Sequence, residues 1–144
     1  MRYFKWGIAR LILESEPCPD VVPIFIEGTM NVMPEDRTVP RWVPKLGKTV
    51  EITFGKRIGQ DVLDGFRERW RRIREKVGDE AASTNAEAIG LRIEVAGYIR
   101  GEVEKLRQQC GYPGDDPKSG SVETWIEEGD SSSGRKMDDS ILGE

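Results

Sequence analysis

The side chains able to do chemistry are few in this chain, and what is missing narrows the options first. There is no histidine among its 144 residues. That removes an imidazole base, a histidine nucleophile and a histidine metal ligand from anything the chain does by itself. Ser15 and Cys18 are nucleophiles by type, but neither has a histidine to take its proton. Asp20 has the chemistry of an acid or base, yet an acidic residue just ahead of an apolar run is far more often a surface group. Glu27-Gly28-Thr29 imitates a phosphate-binding turn behind a strand. A tripeptide is a weak signal, and a loop opening that uses the backbone freedom of Gly28 explains it equally well. The two cysteines, Cys18 and Cys110, are too few for a zinc site or a disulfide framework. They read as thiols of a reducing compartment, with one bridge between them left open. No metal or cofactor is expected.

Positive charge is concentrated in one stretch, at Arg67, Arg69, Arg71, Arg72, Arg74 and Lys76. Such a cluster attracts phosphate groups, on an anionic membrane surface or on RNA. It also suits an ordinary solvated helix face, with Asp61, Asp64, Glu68 and Glu75 supplying partial pairing. The solvated face is the commoner outcome. Arg69, Arg71, Arg72 and Arg74 are the candidates for membrane contact.

The elements that must position these residues follow from periodicity. Phe4, Ile8, Leu11 and Ile12 recur at helical spacing, and that helix must end before Pro17. Val21-Val22-Pro23-Ile24-Phe25-Ile26 is an apolar run without alternation, the pattern of a strand buried on both faces as in a parallel sheet. Residues 27–48 form a loop broken by Pro34, Pro40 and Pro44. Thr49-Val50-Glu51-Ile52-Thr53-Phe54 alternates and predicts a second strand in the same sheet. A helix from Gln60 to Val77 carries Val62, Leu63, Phe66, Trp70, Ile73 and Val77 on one stripe, and Trp70 there reads as core. A third helix runs from about Asn85 to Gln109, with Ile89, Ile93, Ala96, Ile99, Val103 and Leu106 as its apolar stripe. Gly90, Gly97 and Gly101 each weaken it by roughly 1 kcal/mol against Ala.

Charge divides the chain. Residues 112–144 hold three basic and nine acidic residues, a net −6, while residues 1–111 carry a net +2. The tail is poor in apolar residues and is expected to be disordered. No apolar run reaches the ~20 residues that span a bilayer, and the N-terminus is a poor secretory signal.

Phe4-Lys5-Trp6-Gly7-Ile8-Ala9-Arg10-Leu11-Ile12, followed by Val22-Pro23-Ile24-Phe25-Ile26, resembles the glycerophospholipid acyltransferases, in which an F-K-x-G helix leads to a proline-containing apolar strand. Gly28-Thr29-Met30-Asn31-Val32-Met33-Pro34, Pro40-Arg41-Trp42-Val43-Pro44, Gly47-Lys48 and Phe54-Gly55-Lys56 are similar to the tafazzin branch of that superfamily. The resemblance covers residues 2–58. It implies an α/β fold: residues 1–59 as the C-terminal part of an acyltransferase-type sheet-and-helix domain, residues 60–111 as a helical extension, and residues 112–144 as the acidic tail.

It also implies phospholipid and lysophospholipid substrates, cardiolipin acyl-chain remodelling without a cofactor, peripheral association with mitochondrial membranes, and no nucleic-acid partner. Pro23 would line a lipid pocket. The family's His-x-x-x-x-Asp motif, whose histidine deprotonates a lysolipid hydroxyl, precedes the F-K-x-G helix and is not in this chain. Its Glu-Gly phosphate motif also precedes that helix, so Glu27-Gly28 stands in the wrong place. The expectation is a C-terminal piece of such an enzyme, inactive by itself. The alternative is a non-catalytic membrane-surface or RNA-binding helical module.

Overall fold

The computed structural model describes residue 4, residues 6–34 and residues 43–115. Pro40, Arg41 and Trp42 of the resemblance, and the tail from residue 116, lie outside the described residues. The element order is α1 (Trp6–Glu14), β1 (Ile24–Glu27), α2 (Thr29–Val32), β2 (Glu51–Phe54), α3 (Gln60–Val77), α4 (Asp79–Ala82) and α5 (Ala86–Gln109). The fold is mixed α/β, with helices around one small antiparallel sheet.

The core is helical. Leu63, Trp70 and Ile73 of α3 meet Ala9, Ile12 and Leu13 of α1 and Ala88, Leu91, Val95 and Ile99 of α5. The α3 stripe falls where its spacing places it, and the helix bounds coincide with those predicted. In α1 the buried side is Ala9, Ile12 and Leu13, whereas Leu11 is 63% exposed. With Ala9, Ile12 and Leu13 turned inward, Leu11 falls on the opposite arc beside exposed Arg10. In α5 the seam runs Ala88, Leu91, Val95, Ile99, Val103 and Leu106. Ile93, expected on that seam, is 55% exposed. Ala88, Leu91 and Val95 hold the contact in its first half instead.

The helix ends have local causes. Asn85 caps α5, its Oδ1 accepting from the backbone N–H groups of Glu87 at 2.9 Å and Ala88 at 3.2 Å. Gly78, at φ 82°, ends α3, with its N–H donating to the Arg74 carbonyl at 2.8 Å. The Glu16–Pro17 peptide beyond α1 is cis.

β1 and β2 pair antiparallel in the register Ile24↔Phe54, Phe25↔Thr53, Ile26↔Ile52 and Glu27↔Glu51. Backbone bonds from Gly55 to the Pro23 carbonyl (2.8 Å) and from Ile58 to the Val21 carbonyl (2.9 Å) continue the ladder past the strand ends. The expectation of a parallel-type strand buried on both faces is therefore corrected. The run Val21–Ile26 lacks alternation because both its faces are apolar. One face, through Phe25, lies under Tyr112, with ring centroids 5.4 Å apart. On the other face, Ile24 and Ile26 are 42% and 50% exposed. Pro23 costs the ladder nothing, because it precedes β1 and takes part through its carbonyl.

The segment read as one loop also contains the short helix α2. Gly28 precedes it in the left-handed region, φ 82° and ψ −4°. A Cβ at Gly28 would lie 2.3 Å from the Thr49 carbonyl oxygen, so the strand crossing there accepts glycine alone.

Candidate functional site

The exposed face of the sheet is the most unusual surface among the described residues. Because side chains alternate along a strand, the register places Ile24 and Phe54, and then Ile26 and Ile52, on the same side. Their exposures are 42%, 66%, 50% and 54%, respectively. Val22 and Val50 extend the row at 42% and 41%. The same two-residue step along the second strand reads Lys48, Val50, Ile52, Phe54, Lys56, so an apolar row ends in an exposed lysine at either end. Glu27 and Glu51 belong to the opposite face. Next to the sheet, Met30 and Met33 are exposed at 54% and 49%, and Leu46 at 89% between Lys45 and Lys48. Surfaces of this kind are scarce on soluble monomers and mark contact with a partner or a membrane. Alternation in 49–54 was visible in the sequence, but it does not tell which alternate face stays uncovered.

The arginines of α3 do not act as one group. Arg69 makes a bidentate pair with Glu94 of α5, at 2.7 and 2.6 Å. Arg72 donates to Glu68 at 2.6 Å and Arg74 to Asp79 at 2.6 Å. The hydrogen bond from Arg69 holds the Glu94 carboxyl below its ordinary range, and that from Arg74 does the same for Asp79. Arg71 has no such pair among the described residues. All three paired heads remain in contact with water, so they are surface pairs.

Arg67 departs from the expectation of a solvated face. It is 6% exposed. Its Nη1 donates to the carbonyls of Ile12 and Ser15, both at 2.8 Å, and its Nη2 to Glu16 at 2.6 Å. The Ile12 carbonyl is one that the last turn of α1 leaves unpaired, Ser15 and Glu16 follow directly after it, and a planar fork reaches all three together. Sequence reading missed this because Arg67 sits among other arginines while lying beside the apolar stripe, one position after Phe66. Arg92, 7% exposed, lies over the Trp70 ring with its Cζ 4.8 Å from the centroid. It donates to the Ser83 carbonyl at 3.2 Å. Trp70 is thus core, as read from its stripe.

The remaining candidates are separate from one another. Asp20 pairs with Arg57 at 2.7 Å on the surface, the position of a surface acid. Pro23 is buried, with its ring packed over Gly55, where a Cβ would come within 2.7 Å of Pro23 Cγ and 3.4 Å of Leu106. Cys18 and Cys110 are both free, and the Cys110 Sγ lies 3.6 Å from the Thr53 hydroxyl. No group of three or more acidic or cysteine ligands gathers among the described residues. None of the described helices is long and apolar enough to cross a membrane.

No family model matches the chain. A curated relative does: over 138 residues the chain is 33% identical to tafazzin of Saccharomyces cerevisiae, an alignment that takes in 87% of this chain. This chain is a sequence relative of tafazzin. It spans 36% of that relative's length. An aligned stretch of this extent reaches beyond residues 2–58, where the motifs lie, and must take in part of α3 and α5. The tafazzin likeness is therefore a property of the helical part as well as of the sheet.

Proposed function

We propose that the chain is the C-terminal, lipid-facing part of a tafazzin-like phospholipid–lysophospholipid acyltransferase that remodels cardiolipin acyl chains at mitochondrial membranes. The similarity to tafazzin supports the chemistry. The observation that carries the lipid-facing role is the row Ile24, Ile26, Ile52 and Phe54, left open on one side of the sheet. Burying such a row in the acyl–headgroup boundary gains about 25 cal/mol per Å² of apolar surface. The lysines at its ends stay at headgroup depth, where they meet anionic phosphates.

In this reading Pro23 fixes where the row starts, since its buried ring locks the chain against Gly55 just ahead of Ile24. The α3 arginines contribute at longer range. Those already paired to carboxylates add little, and Arg71 adds most. The acid–base residues of the acyl transfer are not among these 144 residues, because the sequence has no histidine.

The test is co-sedimentation of the chain with phosphatidylcholine vesicles, with and without cardiolipin. The parent binds, more strongly with cardiolipin. The double variant Ile52→Ser, Phe54→Ser loses most of the binding while keeping its helicity. Equal binding by parent and variant would overturn the proposal. RNA binding with a steep salt dependence would favour the phosphate-binding helix instead.

A further inference from the structure

The phase of the β1–β2 ladder fixes which backbone groups the sheet leaves unused. Along an antiparallel pair, hydrogen-bonded and non-hydrogen-bonded positions alternate. The Gly55 N–H donates to the Pro23 carbonyl at 2.8 Å, so Pro23↔Gly55 is a hydrogen-bonded position. Two-residue steps make Phe25↔Thr53 and Glu27↔Glu51 hydrogen-bonded as well, and leave Ile24↔Phe54 and Ile26↔Ile52 between them. The N–H and C=O groups of Ile52 and Phe54 therefore point away from β1, and the same step adds Val50 and Lys56. Among the described residues, nothing bonds to these outward groups. The side chains along the edge are exposed as well, except for half-buried Thr53. Between Lys48 and Lys56 no proline or lysine blunts the edge.

The strand that complements this edge is β2 itself. Two copies related by a two-fold axis through the sheet run antiparallel and keep both apolar rows on one side. Few registers are open to them, since side chains must stay on their own faces. Centring on Glu51 sets two carboxylates directly opposite each other. Centring on Ile52 sets Lys48 against Lys56 of the other copy, twice. Like charges directly opposite are destabilising. Centring on Thr53 avoids both. Ile52 then faces Phe54 of the other copy, and Val50 faces Lys56, whose stem can lie along it. Thr53 faces Thr53, and Glu51 faces Gly55 with Arg57 one diagonal step away. All four outward residues fall at hydrogen-bonding positions.

We propose that β2 pairs with β2 of a second copy in the register centred on Thr53, giving a four-stranded sheet whose apolar face is continuous across both chains. The pairing does not depend on the lipid-facing reading, but its consequence at a membrane rests on it. Lipid that covers Ile52 and Phe54 also strips water from their outward N–H and C=O groups, and unsatisfied backbone groups are not tolerated in the hydrocarbon region. Pairing removes that cost. A seam of one short strand is at the small end of protein interfaces. Two chains confined to one membrane plane therefore pair more readily than two in dilute solution.

The experiment places one cysteine in the full chain carrying Cys18→Ala and Cys110→Ala. Disulfide-linked dimer is followed under copper-catalysed air oxidation, with and without cardiolipin-containing vesicles. Thr53 of each copy sits at a non-hydrogen-bonded position, where Cα atoms are about 4.5 Å apart, inside the disulfide range. The two Glu51 residues are four steps out of register, roughly 13 Å apart. Thr53→Cys is expected to cross-link about ten-fold faster than Glu51→Cys or Ile52→Cys, because it alone meets disulfide geometry. Adding Ile52→Pro to Thr53→Cys removes an outward N–H that β1 does not use. The cross-link is then lost, while the methyl NMR signals of Val95 and Ile99 in the helical core stay in place. Equal rates at positions 51 and 53, a faster rate at 52, or a cross-link that survives Ile52→Pro overturns the proposal. Dimers that form without vesicles, from a chain that binds none, leave the pairing standing and remove the lipid-facing reading. Vesicle binding by the parent, with Thr53→Cys still monomeric there, does the reverse.

Discussion

Arg67 shows how one side chain can hold two helices in place. Its guanidinium satisfies the Ile12 and Ser15 carbonyls, at and just past the end of α1, from a position on α3 more than fifty residues away. Truncation would strand those acceptors in a buried setting. Arg67→Ala is expected to lower stability by about 2–3 kcal/mol, the range for hydrogen bonds to a charged group, measured by urea unfolding. Arg67→Lys should recover only part of this, because a single ammonium cannot span both carbonyls and Glu16. Glu94 is a weaker and pH-dependent tie. Its folded pKa is depressed by the hydrogen bond from Arg69. The pair therefore contributes above the ordinary glutamate range and is lost as pH falls through the lower folded value. With both heads about half exposed, the contribution is at most about 1 kcal/mol. Glu94→Gln should remove that part of the acid-side loss of stability and leave neutral-pH helicity nearly unchanged, as circular dichroism across pH 3–7 would record.

At the scale of elements, α3 and α5 were legible because long amphipathic periods survive in the sequence. The sheet was legible as two strands but not in its exposure. Strand spacing identifies which residues share a face, and nothing local identifies what covers that face. The stripe of α5 was misplaced at Ile93 for a related reason: residue size suggested the seam, while packing chose Ala88 and Val95. Lipid-binding candidates were sought in charge, and the arginines proved largely occupied by Glu68, Asp79 and Glu94. The glycines of α5 offer a clean check on this packing. Gly90, Gly97 and Gly101 would each place a Cβ in open space. Gly97→Ala should raise stability by about 0.5–1 kcal/mol through helix propensity and lost unfolded-state freedom. In contrast, Leu63→Ala, at a fully buried site, should cost about 2–5 kcal/mol. A destabilising Gly97→Ala would mean that another surface packs against α5 there.

For the molecule as a whole, relatedness to tafazzin and capacity for its reaction are separate questions. Acyl transfer to a lysolipid hydroxyl needs a base that holds a proton near neutral pH and a donor carbonyl brought to it. The resolved shifts in this chain run the wrong way. Asp79 and Glu94 are pushed down by their arginines, becoming weaker bases, and Tyr112 is pushed up by its hydrogen bond to Glu27. What the described residues do present is an apolar sheet face on a helical core. The purified chain should therefore bind cardiolipin-containing vesicles and still fail to move a labelled linoleoyl group from phosphatidylcholine to monolysocardiolipin. Product above a heat-treated control would show that a base other than histidine operates here. Ser15→Ala, Cys18→Ala and Asp20→Asn would be the substitutions to locate it, because these combine reactive type with a place between α1 and the sheet.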